Sequence, residues 1–193
     1  MKDQKNLIHF LNILGERIKE HQSDIACEIS DTLLGSLKRQ NKKPPVARSC
    51  SFDRKSLAGF DSNLINLLED NLTHLNWREA GFGKLPLEIS NQVCVSELIG
   101  PNGFYNHSSV RIGLLLQMPK THYPWHQHAA EELYFILGGN ADWAVDRKES
   151  TFKSSGSFIH HKSNQPHCMT TNDQYMLAVW GWVGDINGST YSI

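Results

Sequence analysis

The 193-residue chain has no apolar run long enough to span a bilayer, no excess of either charge and no paired-cysteine motif. A membrane-spanning helix needs about 20 consecutive apolar residues, so no membrane partner is expected. A formal net charge of −1 lacks the basic excess that marks a nucleic-acid partner. Cys27, Cys50, Cys94 and Cys168 are scattered without Cys-x-x-Cys spacing, and free thiols in a reducing cytoplasm are the expectation. The opening residues lack a small-residue cleavage site, so no secretory signal is expected. Repeats and low-complexity tracts are also missing. What remains is ordinary apolar content with five tryptophans, enough for one sizeable core.

The first third carries a helical period. Leu7, Leu11, Leu14 and Ile18 recur at steps of three and four, and Ile25, Ile29, Leu33 and Leu37 repeat the pattern after His21-Gln-Ser-Asp24. Ser23 or Asp24 is the expected N-cap of the second helix. The charged run ending in Pro44-Pro45 breaks it. A third helix is predicted over 61–75. From Trp77 onward glycine and proline become frequent and the helical period gives way to short β-prone runs. Strands are predicted over 93–99, 110–117, 132–137, 141–145, 157–160 and 175–183, separated by turn residues. The expectation is a helical region over 1–76 packed on a β-barrel over 77–193, a mainly β fold.

The β part contains His126-Gln-His128-Ala-Ala-Glu-Glu132, with Tyr134 two residues on. Alternation along strands puts His126 and His128 on one face, and Glu132 and Tyr134 on one face of the next strand. Two imidazoles and a carboxylate converging in this way are ligands for a divalent transition metal. His167, after the turn-like Lys162-Ser-Asn-Gln-Pro, is the fourth candidate. Zinc, iron, manganese, nickel and cobalt all suit the set.

These residues resemble the two motifs of the cupin superfamily. The first fits through Gly139, except that Lys120 stands where a glycine leads. The second keeps Gly156 and His167, with Lys162, Asn164 and Thr171 replacing its proline, glycine and asparagine. Asparagine tolerates the left-handed backbone that glycine would supply. Within cupins, the runs Ile99-Gly-Pro-Asn-Gly103, Arg111-Ile-Gly-Leu-Leu-Leu-Gln117, Tyr123-Pro-Trp-His-Gln-His-Ala-Ala-Glu-Glu-Leu-Tyr134, Pro166-His167 and Trp180-Gly-Trp-Val-Gly-Asp185 resemble the bacterial cupin-type dimethylsulfoniopropionate (DMSP) lyases. The resemblance implies a double-stranded β-helix (jelly-roll) barrel behind about three helices. It also implies cleavage of DMSP to dimethyl sulfide and acrylate at a divalent metal.

That reaction is a β-elimination, which needs a base beside the α-carbon. Tyr134 is the first candidate because it shares a face with Glu132, and a cation nearby favours its phenolate. Tyr123 corresponds to the family's other tyrosine. An aromatic wall of Trp180 and Trp182, with Trp143 and Tyr175 behind them, is expected to hold the sulfonium of this small carboxylate by cation–π attraction. Arg111 and Lys162 are lesser candidates for its carboxylate. His122, His160 and His161 are expected to be structural or solvent-facing, with at most one of the last two pointing inward. A homodimer through an outer sheet face fits the superfamily. The competing readings are a cupin iron dioxygenase and a non-catalytic ligand-binding module.

Overall fold

The computed structural model describes residues 2–38, 63–69 and 75–193. Helices α1 (Lys2–Lys19), α2 (Asp24–Leu34) and α3 (Asn63–Glu69) precede the sheets. Helix α2 starts where its Ser23 hydroxyl accepts from the Ala26 amide at 3.3 Å, which satisfies one of the orphan N–H groups of the first turn. The Pro44-Pro45 breaker and the remainder of the third predicted helix up to 74 lie outside the described residues.

Ten strands follow: β1 (Arg78–Glu79), β2 (Val93–Ile99), β3 (Val110–Gln117), β4 (His122–His126), β5 (Glu131–Gly138), β6 (Asn140–Val145), β7 (Thr151–Ser154), β8 (Phe158–His161), β9 (His167–Thr171) and β10 (Met176–Val183). A short helix, α4 (Leu87–Ser90), separates β1 from β2. The strands form a six-stranded sheet in the order β1-β2-β3-β10-β5-β8 and a four-stranded sheet in the order β4-β9-β6-β7. All pairings between these strands are antiparallel. The chain is thus mainly β with N-terminal helices, as its sequence predicts.

Strands β3, β5 and β10 are buried almost throughout, which is why they read as continuous apolar runs rather than alternating ones. Leu133, Phe135, Leu177 and Val179 turn outward into one core shared with Leu11, Ile29 and Leu33 of the helices. Tyr134, Ile136, Ala178, Trp180 and Trp182 turn inward, toward the second sheet. Gly181 has no side chain where α2 crosses, and a Cβ there would lie 2.5 Å from the Ile29 Cδ1. Close approach explains that glycine.

Two motif departures are resolved by backbone geometry. Lys120 and Asn164, which stand where the cupin motifs carry glycine, have φ of 54° and 57°. Both residues adopt the left-handed conformation that glycine supplies more readily. The expectation of four free thiols needs correction. Cys27 and Cys168 are free, but Cys94 is disulfide-bonded; Cys50 lies outside the described residues. Sequence spacing could not show this, because pairing depends on Cα separations set by the fold. Among the described residues no helix is long and apolar enough to cross a membrane.

Candidate metal centre

Strands β4 and β9 pair so that His126 and His167 are directly opposite. His128 follows in the loop toward β5, and Glu132 stands one residue inside β5, facing the same interior. All four are buried. The ring nitrogens are oriented by the backbone. Nδ1 of His126 lies 2.8 Å from the Pro124 carbonyl, Nδ1 of His128 3.0 Å from that of Ala130, and Nδ1 of His167 2.8 Å from that of Gln165. A carbonyl accepts only, so each Nδ1 carries the proton and each neutral ring keeps its lone pair on Nε2.

Those lone pairs meet a carboxylate. Nε2 of His128 is 3.0 Å from Glu132 Oε2 and Nε2 of His167 is 3.3 Å from the same oxygen. The His167 Nε2 has no hydrogen-bond partner. Acceptors packed this closely repel unless a positive charge lies among them, either a proton held between His128 and Glu132 or a metal cation, and a backbone hydrogen bond on the far nitrogen is how metal-ligating histidines are held. His128, Glu132 and His167 offer atoms within 4.8 Å of one another, and the His126 ring sits 4.1 Å from that of His167. The donor set therefore fits a divalent transition metal.

Glu132 is held from behind. Its Oε1 accepts from the Trp182 indole at 2.7 Å. Burial alone would raise the Glu132 carboxyl, but His128, His161 and His167 outweigh it and keep the acid well below the usual carboxylate range. Burial pushes His126 well below the ordinary imidazole value and His161 down to about 4. Burial likewise raises the phenols of Tyr134, Tyr123 and Tyr191, with the charge of Glu132 adding to each.

The cavity above Glu132 is lined by Tyr123, Tyr134, Trp180, Trp182, His126 and His128, together with Arg78, Phe82 and Tyr191. Of the proposed aromatics, Trp180 and Trp182 reach it. Trp143 does not line it; its indole N–H donates to His161 Nε2 at 3.0 Å. Tyr175 packs with the helix-facing core, being out of phase with Trp180 and Trp182 along β10. Arg111 is buried and occupied by Glu97 and the Ile186 carbonyl, and Lys162 is exposed. His160 pairs with Glu131 on the outside, whereas His161 is fully buried, 3.6 Å from Glu132.

Three of the cavity's aromatic and charged residues carry no signal in the sequence. Tyr191 donates to the Tyr123 hydroxyl at 3.1 Å, and Phe82 packs 5.6 Å from Trp182. Arg78 is the cavity's guanidinium. It shares Glu97 with Arg111, which takes the closer contact, 2.9 Å against 3.7 Å. Glu97→Gln would leave the buried Arg111 and the half-buried Arg78 without their carboxylate. Chemical denaturation should then show a loss of about 3–5 kcal/mol. A change below about 1 kcal/mol, the range of exposed pairs, would mean the cluster is satisfied without Glu97.

The two-sheet barrel and its interior His/Glu cluster define a cupin with a candidate metal centre. Residues 19–178 match the dimethylsulfoniopropionate lyase family model, and the chain belongs to that family. DMSP lyase DddQ of Ruegeria pomeroyi is 34% identical over 89 residues, 46% of this chain and 44% of the relative. DddL of Cereibacter sphaeroides is 30% identical over 112 residues, 57% of this chain and 46% of the relative. The matched stretch thus spans less than half the length of either curated relative. The crystal structure of Ruegeria pomeroyi DddQ superposes with a TM-score of 0.65 at 23% identity, covering 82% of each chain. A chain from the crystal structures of the DMSP lyases RdDddP and RnDddQII superposes with a TM-score of 0.69 at 22% identity, covering 99% of this chain and 98% of that one. These two structures support the cupin fold.

Proposed function

We propose that this protein cleaves DMSP to dimethyl sulfide and acrylate by β-elimination. The observation that carries the reading is the convergence of imidazole Nε2 atoms on Glu132 beneath an aromatic cavity that also holds Tyr123, Tyr134 and Tyr191. His126, His128, Glu132 and His167 would hold zinc, iron, manganese, nickel or cobalt. Such an ion supplies Lewis-acid stabilisation of charge developing on the substrate carboxylate.

Tyr134, as phenolate, takes the proton from the carbon next to the carboxylate. The C–H electron pair becomes the new C=C bond, and the C–S pair departs on sulfur as neutral dimethyl sulfide. The phenol proton then returns to water. The rings of Trp180 and Trp182 face the sulfonium, which has no proton to donate and is recognised by cation–π attraction. Arg78 attracts the carboxylate and repels the sulfonium, so it orients the zwitterion. Tyr123, stacked on His126 at 4.3 Å and bonded to Tyr191, closes the opposite wall and positions the substrate.

The test is headspace gas chromatography for dimethyl sulfide after mixing purified protein with DMSP. Release should disappear on chelation and return with one or more single metals. No release with any of the five metals would sink the substrate assignment, and the metal centre would then be tried on other small carboxylates and on oxygen chemistry.

A further inference from the structure

His161 lies beside Glu132, yet its ring is oriented opposite to those of the three candidate ligands. They donate from Nδ1 to backbone carbonyls and present Nε2. His161 accepts at Nε2 from the Trp143 indole, 3.0 Å away. An indole N–H donates only, so Nε2 must spend its lone pair there and the proton of the neutral ring must sit on Nδ1. A nitrogen that carries hydrogen cannot ligate a metal, which removes His161 from the candidate ligand set.

The Nδ1–H is nonetheless aimed. It is fully buried and without a hydrogen-bond partner, and the atom nearest it in charge terms is Glu132 Oε2 at 3.6 Å. That is too long for a hydrogen bond, but a buried orphan donor facing a carboxylate is a costly arrangement that a small turn of the acid would relieve. The ring cannot swing away, because it stacks on His167 with centroids 3.8 Å apart and planes 9° apart. Trp182 holds the other oxygen of the same carboxylate.

We infer that His161 is a positioning residue for the metal centre: Trp143 fixes its tautomer so that Nδ1–H steadies Glu132 while the candidate ligands stay free to bind. The inference rests on the assignment of His128, Glu132 and His167 as metal ligands. It accounts for Trp143 and His161 together, as an indole–imidazole–carboxylate relay of orientation rather than of protons.

The test is cobalt(II) affinity, measured by visible absorption in competition with a chelator, on wild type, His161→Asn and His161→Phe. Asparagine keeps a donor near the Nδ1 position but loses the stacked ring, and phenylalanine keeps the ring but loses the donor. Loss of such an outer partner typically weakens metal binding about 10–100-fold. Phenylalanine should show that loss and asparagine should recover most of it. The reverse order, or equal affinities for all three, would overturn the inference and leave His161 as packing. Wild type that binds no cobalt would instead overturn the ligand assignment beneath it. Because the readout is affinity, it is independent of whether DMSP is the substrate.

Discussion

Tyr134→Phe is expected to lower dimethyl sulfide release by roughly 10²–10⁴-fold, the usual contribution of a positioned base, with metal content unchanged. The ring of Tyr134 meets Trp143 edge-on, with centroids 4.9 Å apart, and phenylalanine preserves that contact. Only the hydroxyl is lost, so packing and catalysis are separated by one oxygen. Burial, reinforced by the Glu132 charge, holds the Tyr134 proton on, so the phenol needs a cation among the His/Glu donors before it can act near neutral pH. Tyr123→Phe should cost less, because that hydroxyl is already engaged with Tyr191. Release close to wild type in Tyr134→Phe, or a larger loss in Tyr123→Phe, would move the base to Tyr123.

The parts of this site that were legible in the sequence are those fixed by short-range periodicity. His126, Glu132 and Tyr134 lie on two successive strands whose alternation is readable, and His128, in the loop between them, is read from its spacing to His126. The long buried strands β2 and β3 have the bounds predicted for them, because apolar runs ended by glycine or proline turns leave little choice. Strands β1, β7 and β9 fall outside the predicted ranges, and β4 is foreseen only at its end, where His126 is placed on a strand. Their sequences, such as His-Tyr-Pro-Trp-His and Thr-Phe-Lys-Ser, are too polar to show a period, and only pairing with neighbours makes them strands. Two parity signals were present but unused. Tyr175, just before β10, is five residues from Trp180 and so is out of phase with it, and His161 is two residues from the core-facing Ile159 and so shares its face. Arg78, Phe82 and Tyr191 carried no signal. They sit in a two-residue strand, a short helical turn and the C-terminal segment, before and after the main strands, and only the fold brings them over the cavity. Tyr191 arrives through a bridge between Gln127 and Ser192, a contact no local pattern encodes.

Glu132→Gln is the substitution expected to separate metal binding from folding most cleanly. The Trp182 indole can only donate, so the amide oxygen of the variant takes the Oε1 position and accepts that hydrogen bond. The amide nitrogen then falls at Oε2, facing the Nε2 lone pairs of His128 and His167 at separations of 3.0 and 3.3 Å in the native protein. It donates to both, so two acceptors that opposed a carboxylate in the native protein become satisfied. The buried His161 N–H then faces a donor where it faced a carboxylate, which offsets part of that gain, so the metal-free variant should melt close to the wild-type temperature. The same two N–H groups occupy the direction a metal would need and the anionic ligand is gone. Cobalt(II) affinity should fall by roughly 100-fold or more, beyond what loss of an outer partner costs, and dimethyl sulfide release should fall with it. A Gln variant that binds cobalt as tightly as wild type would show that Glu132 is no ligand. A Gln variant that melts much lower would show that its charge, rather than its shape, holds the histidines in place.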